Sequence, residues 1–183
     1  MPPPELHLLL GPVNTMYNGI EKVWPGVTEW SSKHNVIRSE YHGGMFEGNE
    51  CRKLLKNIDS LWTLCPDEHS GYAQALEDFN EVVASCYGYD LEPDFEEKIA
   101  QFKSSYLRLD INVTPKVHAV FYHISEFCKY TGMGLGPWSE QTSESLHHDF
   151  NLTWKNYKVK NMDNSRYATE LYKAVCMYNG KNL

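Results

Sequence analysis

A chain of 183 residues has room for one folded domain, and a composition that is 42% hydrophobic and 13% aromatic excludes a wholly disordered polymer. The formal net charge of -7 favours solubility and opposes phosphate-backbone binding. A nucleic-acid partner is therefore possible only through a local basic patch, and Lys155, Lys158 and Lys160 form no more than a short cluster.

Five scattered cysteines with no CxxC pair argue against a disulfide framework and suit a reducing compartment. No signal peptide is visible, so the expectation is an intracellular protein, nuclear or cytoplasmic. The sequons at Asn112 and Asn151 would matter only after secretion. Leu8-Leu9-Leu10 is too short to cross a membrane, and no membrane role is expected.

In chain order, MPPPE at residues 1–5 reads as extended, because consecutive prolines remove amide donors. Leu6, Leu9, Leu10, Val13, Tyr17 and Ile20 give helical spacing over Leu6–Trp24, with Gly11-Pro12 as a kink or a displaced start. Pro25-Gly26 breaks it, and Val27–Lys33 predicts a short helix. Arg38–Asn49 is turn-rich, through Gly43-Gly44 and Gly48-Asn49. Cys51, Leu54, Leu55, Ile58 and Leu61 or Trp62 predict one helical face, closed by Cys65-Pro66. Tyr72–Cys86 predicts another, with Gly88 as its stop. Pro93 opens a further helix through Phe95, Ile99, Phe102, Tyr106 and Leu109.

Thr114-Pro115 is the clearest helix start: threonine caps an orphan amide and proline fits the first turn. Val117, Val120 or Phe121, Ile124, Phe127 and Cys128 continue an apolar face until Gly132–Pro137 interrupts it. A helix is predicted from about Ser139 to Tyr157, and a last one over Tyr167–Tyr178. The fold class expected is all-α, a compact irregular bundle of about six to eight helices forming one domain over residues 1–183. The alternative is a helical segment excised from a mixed α/β enzyme.

Half of the histidines lie between Thr114 and Asn156. On the Ser139–Tyr157 helix, Leu146, Phe150, Trp154 and Tyr157 define one face, and Glu140, Glu144, His147, His148 and Asn151 an adjoining polar one. Glu144-x-x-His147 has the spacing of helical di-iron sites, and His123 and Glu126 repeat a three-residue offset on the preceding helix. Together they make a candidate metal site: His123, Glu126, Glu144 and His147, for zinc, manganese or iron. His118 lies close by in sequence, but its five-residue offset does not put it squarely on the face of His123. The competing and heavier reading is an amphipathic helix pair with hydrated or hydrogen-bonded histidines and no cofactor.

Ser143 or Ser145 beside His147, and Cys128 near a histidine, offer weak nucleophile readings without a supporting motif. The MGLGPW turn, Met133–Trp138, reads as a tight turn anchored by Trp138, with exposed amides for an anion as the rival. Tyr41-His42-Gly43-Gly44 reads as a packed turn, with a ligand-facing His42 as its rival.

The stretches Glu40–Leu55, Thr114–Asn151 and Pro2–Asn14 resemble segments of uncharacterised metazoan proteins linked to DNA transposons. The resemblance implies a carboxy-terminal region or a domesticated fragment of a larger transposon-derived protein. By analogy with transposases that carry a helical insertion before the last acid of an RNase-H-like site, it implies Glu144 or Glu140 as that acid. No strand-borne aspartates accompany it, so the chain departs from a complete nuclease. The function expected is a transposon-derived helical protein-interaction or scaffold domain without autonomous catalysis. Its partner would be another protein or the remainder of a larger polypeptide. The alternative is a metal-dependent enzyme, in the form of a partial nuclease or transposase site.

Overall fold

The computed structural model describes residues 3–39, 43–139, 150–157, 159 and 164–181. In chain order the helices are α1 (Glu5–Val23), α2 (Gly26–Lys33), α3 (Gly48–Lys56), α4 (Ile58–Leu64), α5 (Ser70–Cys86), α6 (Phe95–Leu107), α7 (Pro115–Tyr122), α8 (Ile124–Thr131), α9 (150–154) and α10 (Tyr167–Lys181). Short 3-10 turns lie at Asp67–His69 and Gly136–Trp138. Among the described residues there is no strand, only an isolated antiparallel bridge between Ser39 and Met45.

The all-helical class holds, but the count corrects the expected six to eight: the described residues contain 10 helices. Two apolar runs that read as continuous are each divided. The run from Cys51 to Trp62 breaks at Asn57, whose amide nitrogen bonds the Lys53 carbonyl at 2.8 Å while Ser60 Oγ bonds the Asn57 carbonyl at 2.7 Å. Short polar side chains that bond nearby backbone compete with the helical ladder. The run from Val117 to Cys128 bends at His123, where φ opens to -108°.

The chain divides into two compact units, Met1–Ser139 and Glu140–Leu183. In the first, α5 and α6 pack side by side around an aromatic file. Phe102 lies 4.8 Å from Phe79, 5.7 Å from Tyr106 and 5.5 Å from Phe121. All four rings are buried, and each such pair adds about 1 kcal/mol beyond its area burial. Leu9, Val13, Met16 and Ile20 of α1 and Leu54, Leu55 and Leu61 of α3 and α4 complete this core. In the second unit, Phe150 and Trp154 of α9 set their rings edge-on to Tyr178 and Tyr167 at the ends of α10, each at 5.7 Å.

α1 runs unbroken through Pro12. Proline has no amide to give the carbonyl four residues back, and such a loss in a helix interior costs roughly 3 kcal/mol when nothing compensates. Here the Tyr87 hydroxyl donates to that Leu8 carbonyl at 3.3 Å. Gly11 lets α7 approach, since a Cβ there would lie 2.5 Å from Lys116 Cβ. Helix α1 begins one residue inside the stretch expected to be extended. Glu5 is buried and bonds the Arg52 guanidinium and Ser139 Oγ.

Candidate functional site

Thr114 starts α7 as its sequence predicts: its hydroxyl accepts from the Val117 amide at 3.3 Å, and Pro115 follows in the first turn. His118 therefore stands near the middle of α7, His123 at the bend between the two helices, and Glu126 in the first turn of α8. All three are exposed. On a straight helix a five-residue offset separates two side chains by about 140°. With the bend, the His118 and His123 rings lie 5.4 Å apart, centroid to centroid, at an interplanar angle of 64°. His118 also packs on Tyr122 at 4.7 Å, and the Lys103 ammonium sits 4.1 Å from the centre of the Tyr122 ring.

The other candidates, Glu140, Glu144, His147, His148 and His42, lie outside the described residues, as do Ser143 and Ser145. Most of the predicted Ser139–Tyr157 helix lies outside the described residues; of the described part, 150–154 is α9 and Ser139 is extended. Among the described residues no group of three or more His, Cys, Asp or Glu side chains is placed to hold a metal ion.

The glycine-rich turn resolves into a close backbone joint. The amides of Gly134, Leu135 and Gly136 donate to the carbonyls of Tyr89, Cys86 and Gly88 at 3.1, 2.7 and 2.9 Å. These carbonyls lie at and just beyond the end of α5, where a helix runs out of intrahelical donors. A Cβ on Gly134 would come within 2.3 Å of the Gly88 oxygen, and one on Gly136 within 2.8 Å of the Gly88 carbonyl carbon. The same amides that could have met an anion are spent on the protein's own carbonyls. Trp138 anchors the far side, edge-on to Phe127 at 5.0 Å.

Around this joint lie large exposed side chains: Tyr130 at 90%, Tyr89 at 71% and Met133 at 42%. Asp90, Glu92 and Asp94 follow Tyr89 and are exposed as well. Next to them, Asp78, Glu81, Asp94, Glu97, Lys98 and Gln101 line a groove of about 250 Å3 between α5 and α6. Lys98 is its cation; it bonds Glu92 and lies 3.3 Å from Asp94 and 3.7 Å from Glu81. Glu92 and then Asp94 hold it above the usual lysine value. The buried Asp78 carboxylate accepts from Gln74 at 2.9 Å and Gln101 at 3.1 Å.

A second cleft, of about 440 Å3, is lined by Tyr17, Glu21, Thr28, Ser31 and Arg38 among others. Arg38 pairs with Glu21 at 2.8 Å, bonds Asn18 at 2.9 Å and lies 4.9 Å from the centre of the Tyr17 ring. Ser31 and Ser32 both donate to the Thr28 carbonyl at 2.9 Å, and Tyr17 donates to Ser31 at 2.8 Å. Burial pushes the Tyr17 hydroxyl above its ordinary value, so these hydroxyls form a neutral, internally bonded wall.

Two of the buried thiols are held in their neutral form. Cys51 is pushed up to about 12 by burial, and Cys86 upward by its hydrogen bond with Cys128 and by burial. Cys128, a weak nucleophile candidate in the sequence, is fully buried beside it, and its hydrogen bond with Cys86 moves it the other way, below its ordinary value despite burial.

Sequence reasoning missed Tyr89, Tyr130, Met133 and the α5–α6 groove. Exposure of an aromatic has no local signature in a sequence, and the groove exists only once the two helices pair. Comparison with family models, with curated proteins and with solved structures finds no match. No helix among the described residues is long and apolar enough to cross a membrane.

Proposed function

We propose that this chain is a helical protein-interaction or scaffold domain without catalysis of its own, derived from transposon-related proteins as its resemblance implies. Its contact surface is the joint between the end of α5 and the Gly134–Gly136 turn. The carrying observation is the exposure of two tyrosines, at 90% and 71%: Tyr130 on α8, and Tyr89, whose carbonyl accepts from the Gly134 amide in the joint. A joint tied in this way presents aromatic side chains with little backbone left to order on binding. Tyrosine is also among the residue types that dominate interface energetics.

Charge sets the class of partner. Asp90 borders the aromatics, and Glu92 and Asp94 beside it share the single cation Lys98, which leaves an acidic excess on a chain of net charge -7. A protein segment with lysine or arginine around an apolar anchor complements such a surface, and steering by opposite charge raises its association rate. A phosphate backbone does not complement it.

A photo-crosslinker at Tyr130 in the full chain, expressed in metazoan cells, tests this. The expected adduct is a discrete protein whose linked peptide is rich in lysine and arginine, and it disappears in Tyr89→Ser/Met133→Ser chains with an unchanged circular dichroism spectrum. An adduct that survives those substitutions, or no adduct at all, overturns the proposal.

A further inference from the structure

The bend at His123 does more than divide two helices. It brings together two exposed imidazoles that a straight helix would hold about 140° apart. We propose that His118 and His123 form an exposed two-histidine site for a late first-row divalent cation, with zinc as the best-fitting ion and water completing its coordination.

The geometry carries the inference. A zinc ion takes one nitrogen from each imidazole at about 2.0–2.1 Å and prefers a tetrahedral arrangement; from these values the two ring centroids stand about 5 Å apart. The observed separation is 5.4 Å. At an interplanar angle of 64° the rings meet edge-on and are not stacked face to face. Imidazole is a ligand that zinc, copper and nickel all accept, and magnesium and calcium do not favour.

The His118 ring and the His123 backbone are also supported by their neighbours. His118 rests on Tyr122 at 4.7 Å, four residues along the same face of α7. The His123 backbone is set by its place in the chain: its amide donates to Ala119 at 2.9 Å and its carbonyl accepts from Phe127 at 3.1 Å. Glu126, one turn further along α8, adds a negative charge to the neighbourhood, and Lys103 over Tyr122 adds an opposing positive one. Two protein ligands and an open, solvated hemisphere describe a regulatory or bridging site, not a buried structural one. The site does not depend on the aromatic surface around Tyr130.

Isothermal titration of the metal-stripped full chain with zinc chloride is the test. The expected result is one site whose affinity falls at least tenfold in His118→Gln and again in His123→Gln, and which vanishes in the double variant. His69→Gln, at a half-buried position outside α7 and α8, leaves it unchanged. Both target residues are exposed, so circular dichroism and thermal midpoint stay as in the wild type. Absence of zinc binding by the wild-type chain overturns the inference. So does a double variant that binds zinc with the same stoichiometry and affinity.

Discussion

Two glycine-bearing turns look alike on paper and differ in kind in space. Gly43 and Gly44 adopt φ of +64° and +73°, with nothing within 4 Å of where a Cβ would stand. Glycine is used there for its dihedral freedom. Gly134 and Gly136 have no positive φ, and instead a Cβ on either would strike the backbone around Gly88. Glycine is used there for its absence of volume. The first kind of turn closes a loop, and the second joins two parts of the chain.

The largest test of this contrast is Gly134→Ala. The new methyl meets three carbonyl oxygens, at 2.3, 2.8 and 2.9 Å, so the joint must open. A loss of about 3 kcal/mol is expected in urea unfolding, in the range of overpacking with broken backbone bonds. A loss under about 1 kcal/mol would break the comparison.

Next comes alkaline pH. Burial pushes Tyr106 up to about 12, and the residue lies in the aromatic file that supports α7 and α8. Its hydroxyl bonds the Asn112 carbonyl at 2.8 Å. An unfolded tyrosine ionises near its ordinary value of about 10, so between there and 12 the unfolded state binds fewer protons and stability falls as pH rises. The expected loss is about 2 kcal/mol, seen as a falling thermal midpoint. Hydrogen exchange should then show the amides of Gly134, Leu135 and Gly136 losing protection together, ahead of any change specific to the Gly44 loop.

Tyr87→Phe should cost about 1 kcal/mol by leaving the Leu8 carbonyl without its donor, measured by the same unfolding. The smallest effect belongs to the open loop. Gly44→Ala is strained only by its dihedral and should lose about 1 kcal/mol or less, with Gly44→Asn milder still because asparagine tolerates the left-handed region. If Gly44→Ala proves as costly as Gly134→Ala, the distinction between freedom and volume fails.

The sequence showed whatever depends on near neighbours. Thr114-Pro115 announced its cap, and the spacing of Phe95, Ile99, Phe102 and Tyr106 announced the buried face of α6. What it hid depends on distant partners or on one dihedral. The break at Asn57 is set by side-chain bonds to Lys53 and from Ser60, which an apolar repeat does not register. The meeting of His118 with His123 follows from a bend at a single residue, and without it the offset of five correctly argues against them. The MGLGPW motif was legible as a turn anchored by Trp138, but the partner that demands its glycines, Gly88, is nearly fifty residues away.

Pro12 leaves the interior of α1 with a mark: an acceptor, on Leu8, that the helix cannot serve from within. The one phenol that reaches it comes from Tyr87. Sliding α1 by a turn along its own axis would keep leucine against leucine, because apolar surfaces are indifferent to register, yet it would strand both the acceptor and the phenol. A defect in one helix thus acts as an alignment pin for the bundle.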